Sequence, residues 1–201
     1  MKNQIKSSID LIFTLELETI KELATELEGN LTTKLSNWEH FAEQATMSYT
    51  EEEKEEFYEA HMDDGHKYLE EQPQLIRRSL FVQSFFLFEH FLNQLCDYYK
   101  WSNKYNVSYR DMDKQGINRA KLYLSKICLI QHPFDSDIWR KIQDYSKVRN
   151  SIAHSNNVMV NDVSLVGFEK SMEHNNKYTF TLEKDFVDNF IKVINDFISK
   201  F

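Results

Sequence analysis

Glycine and proline are scarce in this 201-residue chain, with four Gly and two Pro. Both residues punctuate turns, so their scarcity argues against a turn-rich β fold and favours long uninterrupted helices. Four glycines also exclude phosphate cradles of the P-loop or Rossmann type. The only two cysteines, Cys96 and Cys128, each lie in an apolar helical pattern. That leaves no disulfide framework and no Cys/His zinc spacing, and it fits buried free thiols in an intracellular protein. Neither H-E-x-x-H nor G-x-S-x-G occurs, so no metal and no cofactor are expected. An N-terminal signal peptide and an apolar run of eighteen residues are both missing. The expectation is a soluble cytoplasmic protein without membrane contact.

What the chain does have is aromatic bulk, with fifteen Phe, ten Tyr and three Trp. Its length suits one domain over 1–201 with a real core. The net charge of −8 hides an asymmetry. Residues 1–72 hold 18 acidic and 6 basic side chains; residues 73–201 hold 14 acidic and 18 basic. A nucleic acid would avoid the first part and could approach the second, unless the acidic helices are simply solvated faces.

Along the chain, helical spacing links Phe13, Leu17, Ile20, Ala24, Leu27 and Leu31. Gly29-Asn30 is a candidate break, after which Leu35, Trp38 and Ala42 continue the pattern. Thr50 to Glu53 reads as a capping box opening a helix to about Met62, closed by Asp63-Asp64-Gly65 and a short linker. From Pro73 to about Trp101 the chain is apolar nearly all round, as befits the central helix of a bundle. A further helix is expected from about Asp113 to Leu129, stopped by Pro133. Val158–Phe168 and Tyr178–Leu182 read as a small β-hairpin turning at His174-Asn175-Asn176. Leu182–Phe201 reads as a final amphipathic helix. The fold expected is all-α, a bundle of five or more helices with that hairpin before the last one.

The stretch that bears chemistry is Lys147-Val148-Arg149-Asn150-Ser151-Ile152-Ala153-His154. Ile138, Ile142, Tyr145 and Ile152 form one face of a helix from about Ser136 to Ala153, and Arg149 fills the gap in that stripe. A cation there is costly unless it is paired or lines a cleft or subunit seam. Asn150 and His154 share a neighbouring face one turn apart, and Asn156 and Asn157 suit the helix end. Glu89 is the other charge in apolar company, so either it pairs with Arg149 or it projects into solvent beside Asn93. Lys100, Lys104, Arg110, Lys114, Arg119 and Lys121 interleave with Trp101, Tyr105 and Tyr109. This stretch either grips single-stranded RNA or is an ordinary polar loop with packed aromatics.

Arg149-Asn150 followed by His154 resembles the R-N-x-x-x-H signature of the HEPN superfamily, the higher eukaryotes and prokaryotes nucleotide-binding proteins. Chance alone gives only about 0.015 such matches in a chain of this composition. Phe88-Glu89-His90-Phe91-Leu92-Asn93-Gln94-Leu95 similarly resembles the family's preceding long helix, F-E-x-F-L-N-x-L. The resemblance covers about residues 75–200. It implies a HEPN-like helical bundle and a metal-independent endoribonuclease of toxin, abortive-infection or antiviral defence systems. An RNA 2′-hydroxyl would attack its neighbouring phosphate, with His154 moving protons, Arg149 clamping phosphate oxygens and Asn150 orienting. Glu89 would support Arg149, and Lys147, Arg119 and Lys121 would contact RNA. The resemblance further implies a homodimer whose two motifs face each other in one composite site, with an antitoxin or defence-system partner. The toxins paired with nucleotidyltransferase antitoxins resemble R-x4-H-x-Tyr, whereas here the residue two after His154 is Asn156, which puts that subtype in doubt. Two other readings stay open. One is a catalytically silent HEPN protein that binds RNA, a nucleotide or a protein. The other is an unrelated helical interaction protein working through its acidic helices.

Overall fold

Helix-forming sequence with little punctuation produces very long helices. The structure, a computed structural model, describes residues 2–155, 157–160, 162–175 and 177–201. Helix α1 runs unbroken over Lys2–Ala45, about 66 Å at 1.5 Å per residue. The break expected at Gly29-Asn30 does not occur: one glycine costs a helix about 1 kcal/mol, which tertiary packing of a 44-residue helix outweighs. Phe13, Leu17 and Ile20 are its inward face, and Phe13 stacks on Phe91 with ring centroids 4.5 Å apart.

Helix α2, Glu51–Ala60, starts on the expected capping box, in which Thr50 N donates to Glu53 Oε2 at 2.7 Å. The linker expected after it is instead helical. Helix α3, Met62–His66, passes through a π turn at Lys67–Glu71 directly into α4, Gln72–Asn103. Gly65 is not a stop. It is buried under Trp38, whose indole would lie 3.1 Å from an added Cβ. The wider π turn lies just before Pro73, where a regular helix would press the proline ring on the carbonyl four residues back.

Helix α4 is the axis of the bundle. It packs on α1, on α5 (Gly116–Lys126), on α6 (Asp137–His154) and on α7 (Phe186–Ile198). Phe13–Phe91 and Glu28–Arg77 contacts show that α1 and α4 run antiparallel. Phe81, Phe85, Tyr145, Phe186 and Phe190 interlock at the centre, with centroid separations from 4.8 to 6.2 Å. Aromatic pairs in such offset and edge-on arrangements add stability beyond the area they bury. Helix α5 is shorter than its expected span, starting only at Gly116, whose φ of +57° favours glycine. Helix α6 matches its expected span within a residue and is capped by Ser136, whose hydroxyl accepts from Trp139 N.

A hairpin is present, but its first arm is β2, Phe168–His174, and not the expected Val158–Phe168; it pairs antiparallel with β3, Lys177–Leu182, close to the expected second arm. A third strand, β1 at Val158–Met159, joins the free edge of β3, so the order is β1-β3-β2 and the chain is mostly, not purely, helical. Leu182 ends β3 with its side chain fully buried, so α7 starts four residues later than its pattern suggests. Of the expected turn residues, Asn175 has φ +51°, and Asn176 lies outside the described residues. No helix among the described residues is long and apolar enough to cross a membrane.

Candidate functional site

The apolar stripe of α6 turns Ile142, Tyr145 and Val148 into the core and carries Arg149 to the edge of α4. There Arg149 Nη2 donates to Glu89 Oε2 at 2.9 Å, so the pairing expected of these two charges is present. The two side chains are 24% and 23% exposed, which makes the pair neither a surface bridge nor a fully buried one. The guanidinium carbon also lies 5.2 Å from the ring centroid of buried Phe85. Nη1 donates to Asn150 Oδ1 at 2.9 Å. Two of the five N–H donors of Arg149 are thereby used among the described residues, and three remain for a ligand.

Asn150 thus holds Arg149 through its carbonyl; the expected orienting of His154 or of a scissile phosphate would fall to its amide N–H groups. His154 is exposed in the last turn of α6. Arg149, Asn150 and His154 all line one open groove of about 650 Å³, together with Glu89. The opposite wall is the N-terminus of α5, where Gln115, Gly116, Ile117 and Asn118 face the motif. An added Cβ on Gly116 would sit 3.5 Å from Glu89 Oε2, so the carboxylate rests against the start of that helix, where a negative charge is favoured. Val158, Met159 and Val160 also line the groove.

Ser151, inside the motif, is 4% exposed and donates its hydroxyl to the Val158 carbonyl at 3.0 Å. This bond fixes the chain leaving α6 against β1 and shapes the His154 end of the groove. Asn157 takes the left-handed conformation expected after the helix, with φ +63°; Asn156 lies outside the described residues.

The other candidate residues scatter around this centre. Lys147 lines the groove, but its ammonium is held by Asp144 at 2.6 Å. Arg119 lines an adjoining groove of about 380 Å³ that shares Glu89, Gln115 and Gly116, and its Nε donates to the Lys114 carbonyl at 2.6 Å. Lys121 is on another side of α5, its ammonium 5.3 Å from the Trp139 ring centroid. Phe85, Ser151, the α5 N-terminus and Val158–Val160 had no sequence signal beyond position: they become site residues only by tertiary contact. A second large groove, about 690 Å³, lies around Arg78, Val82 and Ile152, where Arg78 Nη2 donates to the Phe180 carbonyl. Among the described residues no cluster of three or more His, Cys, Asp or Glu side chains is placed to hold a metal ion.

The chain matches no family model, no curated protein and no solved structure. The site itself offers a pre-positioned guanidinium, an exposed imidazole and a carboxamide on one helix, in an open groove also lined by a helix N-terminus.

Proposed function

We propose that this groove is the active site of a metal-independent endoribonuclease of HEPN type, serving in a prokaryotic defence, abortive-infection or toxin setting. The observation that carries the reading is that Arg149, Asn150 and His154 line one groove with Arg149 held in place by Glu89. In the reaction a bond forms between the RNA 2′-oxygen and the adjacent phosphorus, and the phosphorus to 5′-oxygen bond breaks. The 2′-hydroxyl gives up a proton and the departing 5′-oxygen gains one. The products are a 2′,3′-cyclic phosphate and a free 5′-hydroxyl. His154 serves proton transfer, because imidazole is the side chain best suited to it near neutral pH. Arg149 stabilises charge on the phosphate oxygens with its remaining donors.

One histidine is few for two proton transfers, so the active species is a homodimer in which two motifs meet and each copy contributes a His154. Such a seam would cover Phe86, 62% exposed one turn from Glu89, and Val160, 65% exposed in the groove lining. A specific observation also favours a second reading, a catalytically silent protein binding RNA, a nucleotide or a protein. Glu89 and Asn150 already use both terminal nitrogens of Arg149, as a purely structural clasp would.

The test is cleavage of single-stranded and total cellular RNA in EDTA, with a growth assay alongside. Wild type should cut, leaving cyclic phosphate ends. Arg149→Ala and His154→Ala should each lose about 100-fold or more, the scale of a removed acid–base group or anion-binding donor. Asn150→Ala should lose less. Wild type and His154→Ala equally inert in all assays would leave the silent reading. Light scattering tests the seam: a Phe86→Lys protein should be monomeric where wild type is dimeric.

A further inference from the structure

The chain carries no acidic residue between Asp113 and Asp135, yet it places Lys114, Arg119, Lys121 and Lys126 there. Three of these cations, Lys114, Lys121 and Lys126, line one groove of about 380 Å³ along α5, with Asn118, Leu122 and Ser125 between them. Asn118 lines the Arg149–His154 groove as well, so the two grooves adjoin at that residue.

Some lysines of this protein are neutralised by a carboxylate. Lys54, Lys147 and Lys192 each sit one turn from a carboxylate and bond it, to Glu51, Asp144 and Asp188. Lys114, Lys121 and Lys126 form no ion pair among the described residues. Lys121 instead lies over the face of Trp139. Around the motif, Lys147 is neutralised by Asp144, and farther along Arg110 is neutralised by Asp97. The uncompensated positive charge next to the candidate site is therefore on α5.

We infer that the α5 groove carries the RNA strand away from the site, Lys114, Lys121 and Lys126 holding phosphates on one side of the scissile bond. The inference rests on the reading of the neighbouring groove as an RNA site. Asn118 to Lys126 spans about 12 Å along the helix axis, which matches three or four nucleotides at the ~3.4 Å rise of a stacked strand. Leu122 gives sugars and bases an apolar contact between the cations. Contacts of this kind read charge spacing and not base identity, so the groove selects single-stranded length and not sequence.

The experiment measures binding apart from cleavage. A fluorescent dodecauridylate is titrated with His154→Ala protein by anisotropy over a range of salt concentrations. Each lysine–phosphate contact on a single strand contributes ~0.7 to the slope of log affinity against log salt. Replacing Lys114, Lys121 and Lys126 together with Gln should lower the slope by about 2. The Lys→Arg triple, which keeps the charge, should retain it. Lys34→Gln with Lys54→Gln, on the acidic half of the chain, should leave it unchanged. If the Gln triple melts early, Lys126→Gln alone should still lower the slope by ~0.7. An unchanged slope in folded variants overturns the inference even if wild type cleaves RNA, and so does failure of the parent protein to bind the oligonucleotide. A lowered slope without any cleavage by wild type upholds the α5 path while the nuclease reading falls.

Discussion

Replacing Glu89 by Leu should destabilise the protein through what it leaves behind on Arg149. The wild-type pair is about three-quarters buried on both sides, at 23% and 24% exposure. Exposed ion pairs contribute about 0.2–1 kcal/mol, and breaking a fully buried one costs about 3–5 kcal/mol. A pair of intermediate exposure falls between them, so Glu89→Leu should cost about 2 kcal/mol. For a chain of this length that lowers the melting temperature by about 4–8 °C. Phe85 still faces the guanidinium and Asn150 still accepts from it, which keeps the loss below the buried limit. Glu89→Gln should cost about half as much, because a neutral acceptor bonds the guanidinium roughly half as strongly as a charged one. Arg149→Met should cost less than Glu89→Leu, because the orphaned carboxylate still rests against the start of α5. The Leu/Met double replacement should melt close to wild type, since an apolar pair of similar volume is usually neutral or better than a buried ion pair. Thermal melts of the four proteins give the coupling energy directly. A Glu89→Leu protein melting within a degree of wild type, or strictly additive single effects, would refute the argument that the two charges hold each other on the apolar face.

Gly116→Ala should cost about 1–2 kcal/mol in urea unfolding, because φ +57° strains any residue with a Cβ; the added methyl itself meets Glu89 at an ordinary 3.5 Å. A neutral result would mean that α5 can restart one residue later at no cost. Burial pushes the Cys128 thiol from 9.0 up to about 11 and raises Cys96 further. A raised thiol pKa means less thiolate, so at pH 8 iodoacetamide should modify Cys128 about 100-fold more slowly than an unperturbed thiol, with Cys96 slower still. Two thiols reacting at free-cysteine rates in the folded protein would contradict that burial.

The helices were legible where periodicity and local chemistry agreed. The capping box at Thr50–Glu53, the stripe of α6 and the apolar girth of α4 depend on residues close in sequence, and each appears where its pattern lies. Gly29 and Gly65 carry the sequence signature of punctuation, yet both lie inside helices, and the linker expected before Pro73 is a π turn. A glycine can serve close packing as well as a break, and the Trp38 ring that needs Gly65 is 27 residues away in sequence. Likewise the strand expected from Val158 to Phe168 is kept only at its two ends, as β1 at Val158–Met159 and as Phe168, the first residue of β2, because both pair with β3 from opposite edges.

The same division runs through the candidate site. Arg149 and Glu89 could be matched from sequence because a charge on an apolar helix face demands compensation, and each helix offered one such charge. Asn150 could not be assigned its partner in that way. It sits on a polar face beside both Arg149 and His154, and a carboxamide can serve either. Its bond to Arg149 completes a three-sided hold, with Glu89 and Phe85 on the other sides. That hold orients the guanidinium before any ligand arrives, and His154, one turn further on, is left exposed with no comparable restraint among the described residues. A phosphate entering the groove would therefore meet a held cation and an exposed imidazole. In the proposed dimer the facing copy would lay a second surface against that imidazole.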